Sequence, residues 1–358
     1  MRIVILASGL VADSPADTGH VYWDFLYALS NQRPDDQFVL VLDKPYHKKF
    51  PLPANVTLVE KNVGTAYISW WWFRNYTWPS LIKKYQADQV MVVDDVLPLK
   101  AGVPAWLLLF HNKKAVAGGD AKKFLGNYKG IFTVSDYLKQ AVVDKFPAFE
   151  AGIKVLPPGN LSAIRPVQWE DREEFKREFT GGVEYFAAVG TFHPDNNIMP
   201  LLKAFSKLKG RLHSNIKLVI AGRATAAGNA IAESLASYRF RDDVVWIKDA
   251  NVHQLSRLIA SAYGLVHVAT VEGVALPILA AQRAEVPVVA FDTDVAREAG
   301  GDAALYAEAD DITGLAEQMG ALYKDEMLRN RLLANIPPLP ENASWDGFAA
   351  SVWQVITQ

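Results

Sequence analysis

The 358-residue chain contains no cysteine. That excludes a disulfide framework, a thiolate metal site and a cysteine nucleophile, and it suits a reducing compartment. Nor is there an apolar run approaching the ~18–20 residues that span a bilayer. Charge of one sign is lacking too: the formal net charge is −2, so no global field favours nucleic acid or an anionic surface. Short-period repeats and low-complexity tracts are absent. What remains is an ordinary globular balance, with half the residues hydrophobic and 21% charged. At roughly 100–200 residues per domain, the length predicts two domains.

Short apolar runs recur along the chain, bounded by turn residues and followed by longer amphipathic stretches. The opening run reads as a buried strand, Ile3–Ala7, entering a glycine-containing loop; the alternative is a weak signal peptide. Further strands are predicted at Phe38–Leu42, Thr57–Glu60, Gln89–Val93, Ala105–Phe110, Gly130–Val134 and Ile153–Leu156. After Tyr185 the alternation restarts, with strands at Tyr185–Val189, Lys217–Ala221, Val244–Lys248, Gly264–Val268 and Val286–Phe291. Helical patterns lie between them, which implies βαβ units and parallel sheets covered on both faces. The charged, Pro/Gly-flanked stretch between Pro157 and Gly182 reads as a linker. The expected fold class is therefore α/β, with two doubly wound parallel-sheet domains. Ligands of such sheets bind outside the carboxyl ends of the strands, and between two such domains a cleft is the default site.

The most informative stretch is GLVHVATVEGVALPILAAQRAEVPVVAF, Gly264 to Phe291. It reads strand, loop, helix, turn, strand. Glu272 lies in the loop before Gly273, and Pro277 fits the first turn of the helix, where its missing N–H costs nothing. Amides at a helix start and the helix dipole form an anion seat. A carboxylate beside that seat suits a ligand offering hydroxyls to the acid and phosphate to the amides, as a sugar nucleotide does. The plain alternative is a Glu that stabilises a helix N-terminus.

This segment resembles the signature of the group 1 retaining glycosyltransferases (family 4), EGFGLPxxEAMACGTPVV. Other pieces resemble the same family in the same order: FTVSDYLKQAV, VGTFHPDNNIMPLLKAF, LVIAGR, REAGGDAALYAEADDITGLAEQM and ASWDGFAASVWQVI. Each piece alone is unspecific; their shared order carries the resemblance. It implies a GT-B fold of two Rossmann-like domains facing a central cleft. The acceptor domain would be 1–160 plus a returning helix in 340–358, and the donor domain 161–339. It also implies retained configuration, no metal and no cofactor, with a nucleotide-sugar, UDP- or GDP-linked, as substrate.

Residue by residue, the resemblance makes Glu272 the partner of donor-sugar hydroxyls. The backbone of Gly273, Val274, Ala275 and Leu276 becomes the loop against sugar and phosphate. The family's second Glu, which grips the ribose, falls on Ala280 here, a departure that removes a charged hydrogen bond worth ~1.5–3 kcal/mol; Glu285 lies past the helix and does not replace it. Arg223, after Gly222, matches the family's basic residue on the diphosphate, where it would neutralise charge on the leaving group. The family's second basic residue has no match in ATAAGNA, and its Arg-Lys pair after Gly190 is Asp195-Asn196, though Thr191 and Asn197 fit. His111 resembles the family's His that meets the donor sugar or acceptor. Gly19 is the one residue fitting the glycine loop over the donor phosphate. Each has a plain structural alternative at a strand or helix end.

YISWWWFRNYTWPSLIKKY is rich in Trp. It reads as packing of the first domain or lining of the acceptor site, with weak peripheral membrane contact as the alternative. Asp94 and Asp95 are adjacent, so their side chains diverge at a strand end and make a poor metal pair. The expected partners are a nucleotide-sugar donor and a glycan or lipid-linked acceptor, and not nucleic acid. The expected location is cytoplasmic, with a peripheral place at the inner membrane face as the alternative. The departures at Ala280 and Asp195-Asn196 keep a second reading open, a catalytically impaired GT-B chain acting as a binding module.

Overall fold

The computed structural model describes the chain apart from residues 8–18, 46–51, 65, 95–101, 111–118, 160–163, 191–192, 223–228, 249 and 339–343, and gives only backbone at 19–21, 119, 120, 122 and 195. The chain divides into two compact units. One comprises Met1–Ala12, Thr18–Asn160 and Asn342–Gln358; the other comprises Asp13–Asp17 and Leu161–Glu341.

The first unit is built on β1 (Arg2–Leu6), β2 (Gln37–Leu42), β3 (Val56–Glu60), β4 (Gln89–Val93), β5 (Ala105–Leu109), β6 (Gly130–Thr133) and β7 (Ile153–Val155). Their order is β3-β2-β1-β4-β5-β6-β7. Every pairing is parallel. A parallel sheet buries both faces, so its strands carry continuous apolar runs rather than alternation; all five residues of β5 are buried. The last helix, Trp345–Ile356, belongs to this unit. Ser344 caps it by accepting from the Gly347 amide, and Phe348 packs edge-on to Phe25 at 5.4 Å and stacks on Phe110 at 5.7 Å. Gly159 lies so close to Trp345 that a Cβ would overlap the indole and its backbone nitrogen.

The second unit is built on β8 (Tyr185–Val189), β9 (Lys217–Ala221), β10 (Val244–Ile247), β11 (Gly264–His267), β12 (Val288–Asp292) and β13 (Ala304–Glu308). The order is β10-β9-β8-β11-β12-β13, again all parallel. Its core packs Phe186, Ile220, Val289 and Phe291 of the sheet against Leu201, Phe205, Met319 and Leu322 of the helices Ile198–Leu212 and Ile312–Lys324.

Two expectations are corrected here. The stretch from Pro157 to Gly182 is not linker throughout: Trp169–Thr180 is a helix of the second unit. Its polarity hides it, since Phe175, Lys176 and Thr180 are its only buried residues. Arg172 donates to the Ala260 carbonyl, and Phe175 sits 6.1 Å from the Tyr185 ring. The glycine pair that looked like linker is its stop, with Gly181 at φ 69° as a left-handed cap. The second correction is β13. Its Ala-rich, half-exposed edge sequence gives no strand signal, and only pairing with β12 along five residues makes it one.

Candidate functional site

In each sheet the strand order reverses about the first strand of the unit. In the second unit the chain leaves β8 toward β9 and β10, then returns to the other side of β8 as β11. The carboxyl ends of β8 and β11 therefore flank the switch point, where open α/β sheets bind ligands. Gly190 follows β8 and Val268–Glu272 follows β11. Two segments of the sequence, eighty residues apart, thus meet at one place.

Asn197 ties them together. It occupies the left-handed region at φ 51°, just before the helix Ile198–Leu212, and its Nδ2 donates to the Val268 carbonyl at 2.9 Å and to Thr270 Oγ1 at 3.3 Å. Asn is the non-glycine residue that tolerates this backbone best. Gly190 and Gly222 close β8 and β9 in matching fashion. Their amides donate to Ala221 and Ile247 carbonyls at 3.0 and 2.9 Å, and both then turn with positive φ, 152° and 156°. The Trp246 indole N–H holds the Gly222 carbonyl at 2.6 Å. Both loops therefore leave the sheet from fixed points.

Glu272 is not a loosely solvated acid. Its Oε1 lies 2.6 Å from Nε2 of His267, the last residue of β11, and the two side chains are 10% and 5% exposed. A carboxylate that is mostly out of water needs such a donor. Sequence reasoning missed His267. The available signal was a polar residue inside the apolar strand GLVH. Gly273, Val274 and Ala275 follow, all buried. The chain then turns tightly on Ala275 (φ −84°, ψ 68°), with the Leu276 amide donating to the Val274 carbonyl at 3.0 Å. That bond engages the Leu276 N–H within the loop. The helix Leu276–Arg283 starts there with Pro277 in its first turn, and the Ile278 and Leu279 amides both return to the Ala275 carbonyl.

Ala280 lies one turn along this helix and is buried at 7% exposure. Glu285 stands beyond the helix, exposed and in a left-handed turn at φ 55°. Arg223, Thr191 and His111 lie outside the described residues. Gly19 opens the helix Gly19–Gln32 of the first unit, and Leu276 opens its own helix in the second. Asp95 is also outside the described residues. Asp94 holds a structural position at the end of β4, with its carboxylate taking the Tyr22 hydroxyl and the Phe110 amide, the latter at 2.8 Å. Burial, with the Asp94 charge adding to it, pushes the Tyr22 phenol well above its ordinary pKa.

Two parallel-sheet α/β units with these topologies define the GT-B fold. Solved structures agree along the whole chain. Sucrose-phosphate synthase from Thermosynechococcus elongatus matches with TM-score 0.74 at 14% identity, covering 100% of this chain and 98% of that one. Anabaena HepE in complex with UDP and glucose matches with TM-score 0.73 at 13% identity over 100% of both chains. WaaG, a glycosyltransferase involved in lipopolysaccharide biosynthesis, matches with TM-score 0.71 at 14% identity, covering 98% and 95%. Residues 170–337, which contain the Glu272 site, match the family Glycosyl transferases group 1. The chain is also 28% identical over 183 residues to the O-antigen chain mannosyltransferase RfbU of Salmonella typhimurium, covering 51% of this chain and 48% of that protein. Identity to the O-antigen chain mannosyltransferase B of Escherichia coli is 25% over 245 residues, 62% and 58% of the two. The aligned regions thus span about half the length of these curated relatives.

Proposed function

We propose that this chain is a retaining, metal-independent glycosyltransferase that moves a sugar from a UDP- or GDP-linked donor to a hydroxyl of a glycan or lipid-linked acceptor. The observation that carries the reading is Glu272. It is a carboxylate held by His267 at the switch point of the second unit's sheet, directly before a helix start. The match of residues 170–337 to group 1 glycosyltransferases supports it. The names of the O-antigen relatives support a hexosyl donor and a polysaccharide acceptor, and the HepE complexes with UDP and UDP-glucose support a nucleotide-sugar.

In this mechanism Glu272 accepts hydrogen bonds from donor-sugar hydroxyls and fixes the ring. Backbone of Gly273, Val274 and Ala275, with Gly190 and Gly222, approaches sugar and phosphate, and Asn197 holds the two loops in register. The anomeric carbon–oxygen bond breaks, and the diphosphate leaves with the electron pair. Arg223 offsets the charge that develops there. The acceptor oxygen bonds to the anomeric carbon on the face the diphosphate leaves, and its proton passes to the leaving phosphate. His111 contacts donor sugar or acceptor and is not the base. With Ala280 in place of a ribose-gripping acid, nucleotide affinity rests on the diphosphate and sugar contacts. The chain works in the cytoplasm.

Calorimetric titration with UDP, GDP, ADP and their sugar conjugates tests this. At least one nucleotide-sugar binds, and Glu272→Ala or Arg223→Ala weakens it by roughly tenfold or more, the loss of one charged hydrogen bond. Absence of binding to every conjugate, in a folded sample, sinks the transferase and favours a binding module.

A further inference from the structure

The helices Tyr67–Trp72 and Trp78–Lys84, joined by the wide turn Phe73–Thr77, form an amphipathic element whose outer face is the wrong kind for water. Its inner face is ordinary. Phe73, Trp78, Leu81 and Ile82 are buried in the first unit. The outer face should then be charged. Instead Tyr67, Ile68, Trp71, Trp72 and Tyr76 point outward, between 40% and 83% exposed. Of the nine large hydrophobic residues exposed among the described residues, these five fall within ten positions. Scattered exposed apolar residues need no account, but a contiguous cluster does.

The rings form one surface. Trp72 and Tyr76 lie 4.6 Å apart, and Trp71 sits 5.7 Å from both. Residues 61–87 carry four basic side chains, Lys61, Arg74, Lys83 and Lys84, and no acid, in a chain whose acids outnumber its Lys and Arg by 39 to 37. Lys83 and Lys84 are exposed at the end of the element.

We infer that this face docks on an anionic lipid bilayer. Trp and Tyr combine an apolar body with a polar edge, which suits the headgroup boundary, and flanking Lys reach the phosphates. No helix among the described residues is long and apolar enough to cross a membrane, so the element lies on the surface rather than spanning it. A second copy is the poorer occupant. A two-fold contact sets the patch against itself and brings its cations together. A neutral glycan would use the rings and give the four cations no role.

The test is flotation with vesicles of phosphatidylcholine alone and of equal parts phosphatidylcholine and phosphatidylglycerol, using the full chain. Binding is expected to the anionic vesicles only. Two variants follow: the triple change Trp71→Ser, Trp72→Ser, Tyr76→Ser, and the double change Lys83→Glu, Lys84→Glu. Each lowers partitioning by roughly tenfold or more, because either half of the two-part anchor is lost. Lipids brominated near the headgroup quench Trp fluorescence of the wild type and not of the triple variant. Melting temperature and nucleotide binding, measured on the same samples, stay at wild-type values, so this inference fails or stands apart from the proposed transfer. A folded wild type that ignores anionic vesicles overturns it. So do variants that bind like wild type, equal binding to neutral vesicles, or a dimer that the triple change dissociates.

Discussion

His267 Nε2 and Glu272 Oε1 share a 2.6 Å hydrogen bond between two nearly buried side chains. Glu272 is therefore oriented by the last residue of β11, the strand that leads into its loop. Taking away the imidazole leaves a shielded carboxylate short of a donor, at a cost of about 1–3 kcal/mol. His267→Leu should lower the unfolding temperature by roughly 2–4 °C per kcal/mol in a unit of this size and weaken donor binding. His267→Gln, which can still present an N–H, should recover part of both. A double-mutant cycle over His267→Leu and Glu272→Leu should return a coupling of about 1 kcal/mol or more; a value near zero would remove the positioning role.

Ala280 gives a gain-of-function prediction. The position is buried, so Ala280→Glu places an acid where it lacks solvent. Without nucleotide the variant should melt lower than wild type. With the cognate nucleoside diphosphate it should recover, because the ribose hydroxyls give the carboxylate its partners. The measured quantity is the nucleotide-induced rise in melting temperature, larger in the variant than in wild type. An equal or smaller rise would show that this helix face does not meet the ribose.

Asn197 joins two loops from a left-handed backbone. Asn197→Ala loses the bond to the Val268 carbonyl and the tolerance of the left-handed region that sets Asn apart from Ala, together roughly 1.5–3 kcal/mol. Asn197→Gly loses the bond but not the backbone fit, and should be the milder change. Urea unfolding of the two variants separates these costs, and equal losses would argue against backbone strain as a contributor.

Tyr22 supplies the pH test. Its phenol is buried, donates to Asp94 and titrates well above the ordinary value of 10.0. A raised folded pKa means stability that is fully present below pH 10.0 and lost as pH rises toward the folded value, since the unfolded chain releases the proton first. Tyr22→Phe should be less stable than wild type at neutral pH by about 1–3 kcal/mol, because Asp94 loses a donor. That gap should narrow above pH 10.0, where only the wild type carries this phenol's penalty. Urea midpoints across the alkaline range measure it, and a constant gap would sink the assignment.

Much of the architecture was legible because parallel strands announce themselves. ALYAE escaped because an edge strand is half exposed and its Ala-rich sequence carries no β preference; β12 alone makes it a strand. WEDREEFKREFT escaped because one buried aromatic and a buried Lys stem give too narrow an apolar stripe to read. At the site, Glu272 could be picked from its place in the loop after a strand, whereas Gly190, Gly222 and Asn197 are candidates only through the family resemblance. His267 could not be picked, because a polar residue in an apolar strand marks a position without telling which partner it faces.

By itself the sequence determined the repeated strand–helix alternation, the absence of cysteine chemistry, and which loops follow strands, because each depends on composition and local spacing. Tertiary structure alone decided the strand order that sets the β8 and β11 loops side by side, the bond from Asn197 across them, and the His267–Glu272 pair. It also decided that the aromatic face from Tyr67 to Tyr76 stays uncovered within its unit. Periodicity reports only that a face is apolar. Whether that face is buried depends on which distant residues fold over it, and that information is held in packing rather than in any local stretch of chain.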